Sequence, residues 1–135
     1  MSLSDAEMSE RYEELYLGAV TDMLDDMRYG SRTLPSTIEP LQSDTVMAGI
    51  AYPVHGCPDK DCDYDENLRR FLRMLGDAPA ESVIAYQTRD EEAAHIGELS
   101  TTALAAQGCR SAVVDGGVRD ARYILEQEFP AFSRY

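Results

Sequence analysis

Lysine is almost missing from this chain: Lys60 is the single one, against eleven arginines, and 25 acidic residues bring the net charge to -13. Such a balance opposes non-specific nucleic-acid binding, which rests on neutralising phosphates with basic side chains, so no direct nucleic-acid contact is expected. No apolar run approaches the roughly 18 residues of a membrane span, and no membrane association is expected. The start, MSLSDAEMSERYEEL, lacks the basic and then apolar layout of a signal peptide, which makes a cytoplasmic location the expectation; Met1 to Leu3 carry no structural weight in this reading. Three cysteines, Cys57, Cys62 and Cys109, are an odd number and read as reduced thiols rather than a disulfide framework. Repeats, linkers and low-complexity segments are also missing, so residues 1–135 read as a single domain with room for one core.

What is present alternates in period. Tyr12, Leu15, Tyr16, Ala19, Val20, Met23, Leu24 and Met27 recur at helical spacing before Gly30, which predicts one amphipathic helix with its methionines in the core. SRTLPSTIEPLQSD reads as a loop, and TVMAGIAYPV as a strand that Pro53 ends or places at an edge. HGCPDKDCDYDE reads as an acidic loop, NLRRFLRMLG as a helix, and SVIAYQ as a strand. TRDEEAAHIG reads as a charged turn, ELSTTALAAQG as a helix closed by Gly108, SAVVD as a buried strand, ARYILEQE as a helix and AFSR as a last strand. This β-α-β-α-β order predicts an α/β fold with a largely parallel sheet, whose ligands sit beyond the strand C-termini where helices begin.

Two corners carry chemistry. In VVDGGVRDARYIL, Gly116 and Gly117 would allow a tight turn or a close ligand approach, leaving Arg119 and Asp120 exposed beyond a strand. Adjacent side chains diverge, so Arg119 can grip a carboxylate with its planar fork while Asp120 offers hard oxygens to Mg²⁺ or Mn²⁺. In HIGELST, Gly97 precedes a helix whose first N–H groups, those of Leu99 and Ser100, form an anion site, with Glu98 beside them. If both corners share a pocket, they fit a small α-keto acid held by its carboxylate, with its enolate stabilised during carbon–carbon bond chemistry.

The stretch GELSTTALAAQGCRSAVVDGGVRDARYILEQEFPAFSR resembles the signature region of the family that contains the class II pyruvate aldolases, such as 4-hydroxy-4-methyl-2-oxoglutarate aldolase, and the regulator of ribonuclease activity A. The VTDML helix and the AGIAYPV strand extend the similarity over nearly the whole chain. The resemblance implies a layered sandwich of the swivelling β/β/α type, here lacking the family's C-terminal part, since family chains run several tens of residues further. It implies Glu98 as the acid that orients water, Arg119 as the pyruvate-binding arginine, Asp120 as the metal ligand, and the Leu99 and Ser100 amides, after Gly97, as substrate contacts. It also implies aldol cleavage of 4-hydroxy-2-oxo acids or decarboxylation of oxaloacetate through a pyruvate enolate, in a homotrimer or hexamer. Tyr123 stands where the family motif often has an acidic residue. The same family supplies the rival expectation, a non-catalytic regulator that binds an RNA-degrading enzyme.

Other features read more plainly. An imine-forming aldolase needs a lysine destabilised by an apolar pocket, whereas the carboxylates around Lys60 favour its charged form, which leaves metal-assisted chemistry. Arg89-Asp90 shows that an Arg-Asp pair means little by itself. His55, Cys57 and Cys62 have no nearby fourth ligand for structural zinc. Asp59, Asp61, Asp63 and Asp65 imitate a calcium loop, yet Tyr64 occupies its glycine position and Arg70 its closing glutamate. His95 reads first as structural, near enough to the pocket for a catalytic part, and Cys109 reads as core.

Overall fold

The chain's β-branched runs lie side by side in the middle of a five-stranded sheet. In the computed structural model, which describes residues 2–30 and 32–135, Ser82–Gln87 (β3) and Ser111–Asp115 (β5) pair in parallel. Neither strand alternates in polarity because both are covered on two faces: Val83, Ile84, Ala112, Val113 and Val114 are all buried. Ile50–His55 (β2) extends the sheet beyond β3 and Ala131–Ser133 (β7) beyond β5, both parallel, and Glu39–Pro40 (β1) closes one edge antiparallel to β7. The order is β1-β7-β5-β3-β2. The α/β fold with a largely parallel sheet is therefore the one the chain adopts, and Pro53 sits on an edge strand, where its missing N–H is tolerated.

Three helices, Tyr64–Gly76 (α3), Glu98–Ala106 (α4) and Ala121–Glu126 (α5), follow β2 and the small strands described below. Leu75, Leu104 and Ile124 bring them into one buried cluster with Ile84 and Val114. α3 begins earlier than the sequence suggests. Asp63 caps it by accepting the Asp65 and Glu66 N–H groups at 3.1 and 3.2 Å, and those two acids favour the positive end of the helix. Gly108 ends α4 as expected, with φ +84°.

The N-terminal segment departs from expectation. It forms two helices, Asp5–Glu13 (α1) and Leu17–Asp26 (α2), because Tyr16 takes an extended conformation (φ -71°, ψ 119°) and restarts the helix. Its apolar stripe does not face the core: Tyr16, Leu17 and Met23 are 82%, 74% and 60% exposed. The methionine reading is corrected accordingly. Arg110 fastens this segment to the sheet, with Nη2 2.9 Å from Glu13, Nη1 2.9 Å from Glu81 and Nε donating to the Ala48 carbonyl at 2.9 Å. Both carboxylates hold the guanidinium firmly in its charged form. The expected loop after Gly30 includes β1, and its first residue, Ser31, lies outside the described residues, as does Met1.

Within the charged turn, Ala94–Ile96 (β4) is in fact a strand, paired in parallel with Gly117–Val118 (β6) as a separate two-stranded sheet. Among the described residues, no helix is long and apolar enough to cross a membrane.

Candidate functional site

The small β4·β6 sheet brings the two corners together. The Arg119 N–H donates to the Ile96 carbonyl at 3.0 Å, which prolongs the pairing by one residue and sets the start of α4 against the Arg119-Asp120 corner. The approach is so close that a Cβ at Gly97 would lie 2.7 Å from Asp120 Oδ2 and 2.9 Å from Arg119 Cγ. Gly97 is extended (φ -152°), so it is required for space and not for a left-handed backbone. Gly116 and Gly117 serve a related purpose: side chains there would collide with Thr88 and with the Tyr135 ring, respectively. Neither has a positive φ, so both are needed here for space and not for a left-handed backbone.

Arg119 and Asp120 do not diverge as expected. Arg119 Nε lies 3.4 Å from Asp120 Oδ2, and the Glu98 N–H donates to that same oxygen at 3.4 Å. Asp120 precedes α5 in a left-handed conformation (φ 59°, ψ 29°), and its side chain makes no cap bond to that helix. Its backbone carbonyl accepts the Tyr123 and Ile124 N–H groups instead. The carboxylate is thereby left to face the N-terminus of α4, where it occupies the place of an anion. Among the described residues the Leu99 and Ser100 N–H groups have no acceptor, while the Ser100 hydroxyl accepts from the Gly97 N–H at 3.4 Å.

A cleft of about 640 Å³ opens between the loop after β2, with α3, and the β4–α4 corner. Gly97, Leu99, Ser100 and Arg119 line it, whereas Glu98 and Asp120 are not among its lining residues. Leu99 is 80% exposed and the Arg119 side chain 72%, so the guanidinium is open to solvent. The first turn of α4 is braced from behind by Gln127, which accepts from the Thr101 hydroxyl at 2.8 Å and donates to Thr102 Oγ1 at 2.9 Å and to the Glu98 carbonyl at 3.4 Å.

The cleft also holds a pair that sequence reasoning left aside. His95 Nε2 lies 3.0 Å from Asp90 Oδ2, and the Tyr86 ring meets the imidazole edge-on at 5.6 Å and 77°. Asp90 is held below the usual aspartate range, first by the Glu92 N–H on Oδ1 at 2.9 Å and then by the Ala93 N–H and His95, against an opposing effect of desolvation. Burial pushes the Tyr86 phenol up. The available signal was the five-residue spacing of Asp90 and His95 across a turn, but the bulge that brings them together is not visible in so short a strand.

The donor set suits a hard cation. Both contacts of Asp120 are long, and its side chain is 39% exposed. Among the described residues no three His, Cys, Asp or Glu side chains converge on a metal position. A cation at Asp120 would thus have one protein carboxylate, with water and substrate completing its shell, a pattern that Mg²⁺ tolerates and tetrahedral zinc does not.

The fold and this corner define a class: an α/β domain that presents a helix N-terminus and an exposed guanidinium at one cleft, with the Asp120 carboxylate beside them. The profile of the RraA-like family, described as Aldolase/RraA, matches residues 18–135, and the chain belongs to that family. Among solved structures, one described as a novel cellulase from microbes associated with the gut ecosystem is 31% identical over 100% of this chain and 60% of its own, with a TM-score of 0.90. A protein from Pseudomonas syringae pv. tomato is 24% identical over 100% of this chain and 58% of its own (TM-score 0.78). Streptomyces coelicolor RraAS2, described as an unusual member of the RNase ES inhibitor RraA protein family, is 19% identical over 98% of this chain and 65% of its own (TM-score 0.77). The chain thus spans about three-fifths of the length of these structures.

Proposed function

We propose that the chain is a divalent-metal-dependent lyase for small α-keto acids, cleaving 4-hydroxy-2-oxo acids or decarboxylating oxaloacetate through a pyruvate enolate. The observation that carries this reading is the contact of Gly97 with Arg119 and Asp120. It supports the reading because the N-terminus of α4, the Arg119 guanidinium and the Asp120 carboxylate lie close to one another. In the free chain Asp120 Oδ2 satisfies both Arg119 and the Glu98 N–H. An incoming substrate carboxylate takes over these donors, together with the Leu99 and Ser100 amides, and Asp120 is the residue that would hold Mg²⁺ or Mn²⁺. The ion would supply Lewis-acid polarisation of the keto oxygen. Arg119 and the α4 amides stabilise negative charge as the carbon–carbon bond breaks, and Glu98 is assigned to orient water. Family membership supports assembly into a homotrimer or hexamer, for which α2, with none of its residues buried, offers apolar surface. Cellulose carries no anionic group for this corner to hold, so the cellulase description of one neighbour is not carried over.

The experiment is a pyruvate assay of the pure chain with Mg²⁺ and oxaloacetate. The wild type is expected to exceed the metal-only rate, and Arg119→Ala to lose about 10²-fold in kcat, the usual effect of removing one preorganised donor. No rate above that of the metal alone contradicts the proposal. The second reading, a regulator that binds an RNA-degrading enzyme, is favoured by the net charge of -13, which suits a basic partner segment. Its test is capture of a ribonuclease assembly by the tagged chain, and absence of capture removes it.

A further inference from the structure

Both histidines of the chain line the cleft, and the lyase reading above leaves them without a part. His95 has the more defined setting. β4 advances from Ala94 to Ile96 while β6 advances one residue, from Gly117 to Val118, so His95 is the extra residue of a bulge. Bulges in parallel pairs are uncommon, and where they border a site they re-aim a side chain. Here the re-aimed ring lies on the cleft wall two residues before Gly97, its side chain 20% exposed.

The ring is fixed in orientation. Asp90 Oδ2 engages Nε2 at 3.0 Å, and Asp90 is itself held by the Glu92 N–H on Oδ1 and by the Thr88 hydroxyl, which accepts from the Asp90 N–H at 3.3 Å. Tyr86 sets the ring plane. With Nε2 on the carboxylate, Nδ1 is the nitrogen left for proton exchange, the arrangement in which a carboxylate fixes a catalytic imidazole.

We propose that His95 is the proton-transfer group of this cleft and Asp90 its positioning residue, an inference that rests on the lyase reading. When the C3–C4 bond of oxaloacetate breaks, its electron pair stays on C3 as the pyruvate enolate and carbon dioxide leaves. The His95 imidazolium gives the Nδ1 proton to C3, forming the third C–H bond of the pyruvate methyl group, and the neutral ring recovers a proton from water. In the opposite direction the neutral ring removes a methyl proton from pyruvate, which then exchanges with solvent.

The test follows two reactions of the full chain with Mg²⁺: solvent deuterium entering the pyruvate methyl group, by NMR, and carbon dioxide release from oxaloacetate. His95→Ala is expected to lower deuterium exchange by about 10²-fold or more, with a smaller loss of carbon dioxide release, and imidazole added to the buffer restores exchange. Asp90→Asn gives an intermediate loss. In the metal-free chain, oxalate shifts the His95 ring resonance, which is assigned by its disappearance in His95→Ala. Exchange by His95→Ala at the wild-type rate, loss of exchange that imidazole does not restore, or oxalate binding without a ring shift would each overturn the assignment. A wild type that neither exchanges pyruvate nor decarboxylates oxaloacetate overturns the lyase reading itself, and this assignment with it; the two failures are separately visible.

Discussion

Asp120 holds a left-handed backbone conformation (φ 59°) that costs a non-glycine residue about 1–3 kcal/mol, and such strain persists where surrounding structure enforces it, often at binding sites. Here the strain turns the carboxylate away from its own helix and toward the next. Asp90 offers a prediction at the same scale. Its folded-state value lies below the usual one because the Glu92 N–H, above all, binds the ionised form. The stabilisation it gives the turn before β4 is therefore complete above the ordinary aspartate range and is lost as pH falls through the depressed folded-state value. Protection of the Glu92 amide, taken relative to its intrinsic exchange rate, should fall in that acidic window, and Asp90→Asn should remove the acid dependence. The placement of Arg119 and Asp120 just beyond a strand was legible because an apolar run and two glycines precede them. Asp90 was not, since another Arg-Asp pair in a charged turn carries no local sign that a bulge will fold a histidine onto it.

At the scale of elements, the candidate site is built from the end of one short strand and the beginning of one helix. Gln127, just after α5, ties that helix to the first turn of α4 through three side-chain bonds. Gln127→Ala is expected to cost about 1 kcal/mol and to raise amide exchange in the first turn of α4 while β3 and β5 stay protected; uniform protection would contradict the bracing role. The buried strands β3 and β5 and helix α4 were readable because continuous apolar runs and a closing glycine are strong local signals. β4 and β6 were not, because three residues and two cannot display a period. The break at Tyr16 was hidden by an apolar spacing that continues across it.

For the molecule as a whole, Arg110 is the clasp that joins the N-terminal helices to the sheet, uniting Glu13, Ala48 and Glu81. The Arg110, Glu13 and Glu81 side chains are about a fifth to a third exposed, so Arg110→Ala should cost about 2 kcal/mol, well below a fully buried pair. A fall in Tm of about 5–10 °C follows, with α1 loosening first; an unchanged Tm would show that the clasp is incidental. The same N-terminal helices expose an apolar stripe that sequence periodicity assigns to a core, because periodicity reports that a face is apolar and not what covers it.

The proposed activity requires the two corners to act as one anion site, and oxalate affinity, measured calorimetrically with Mg²⁺ in the wild type, Gly97→Ala and Arg119→Ala, tests this most directly. An alanine at position 97 is compatible with the extended backbone but would sit 2.7 Å from Asp120 Oδ2 and 2.9 Å from Arg119 Cγ, parting the corners while these exposed side chains swing outward. The prediction is that both variants keep the wild-type thermal transition and bind oxalate at least about tenfold more weakly, a loss of roughly 1.4 kcal/mol. Wild-type affinity in both folded variants would contradict it.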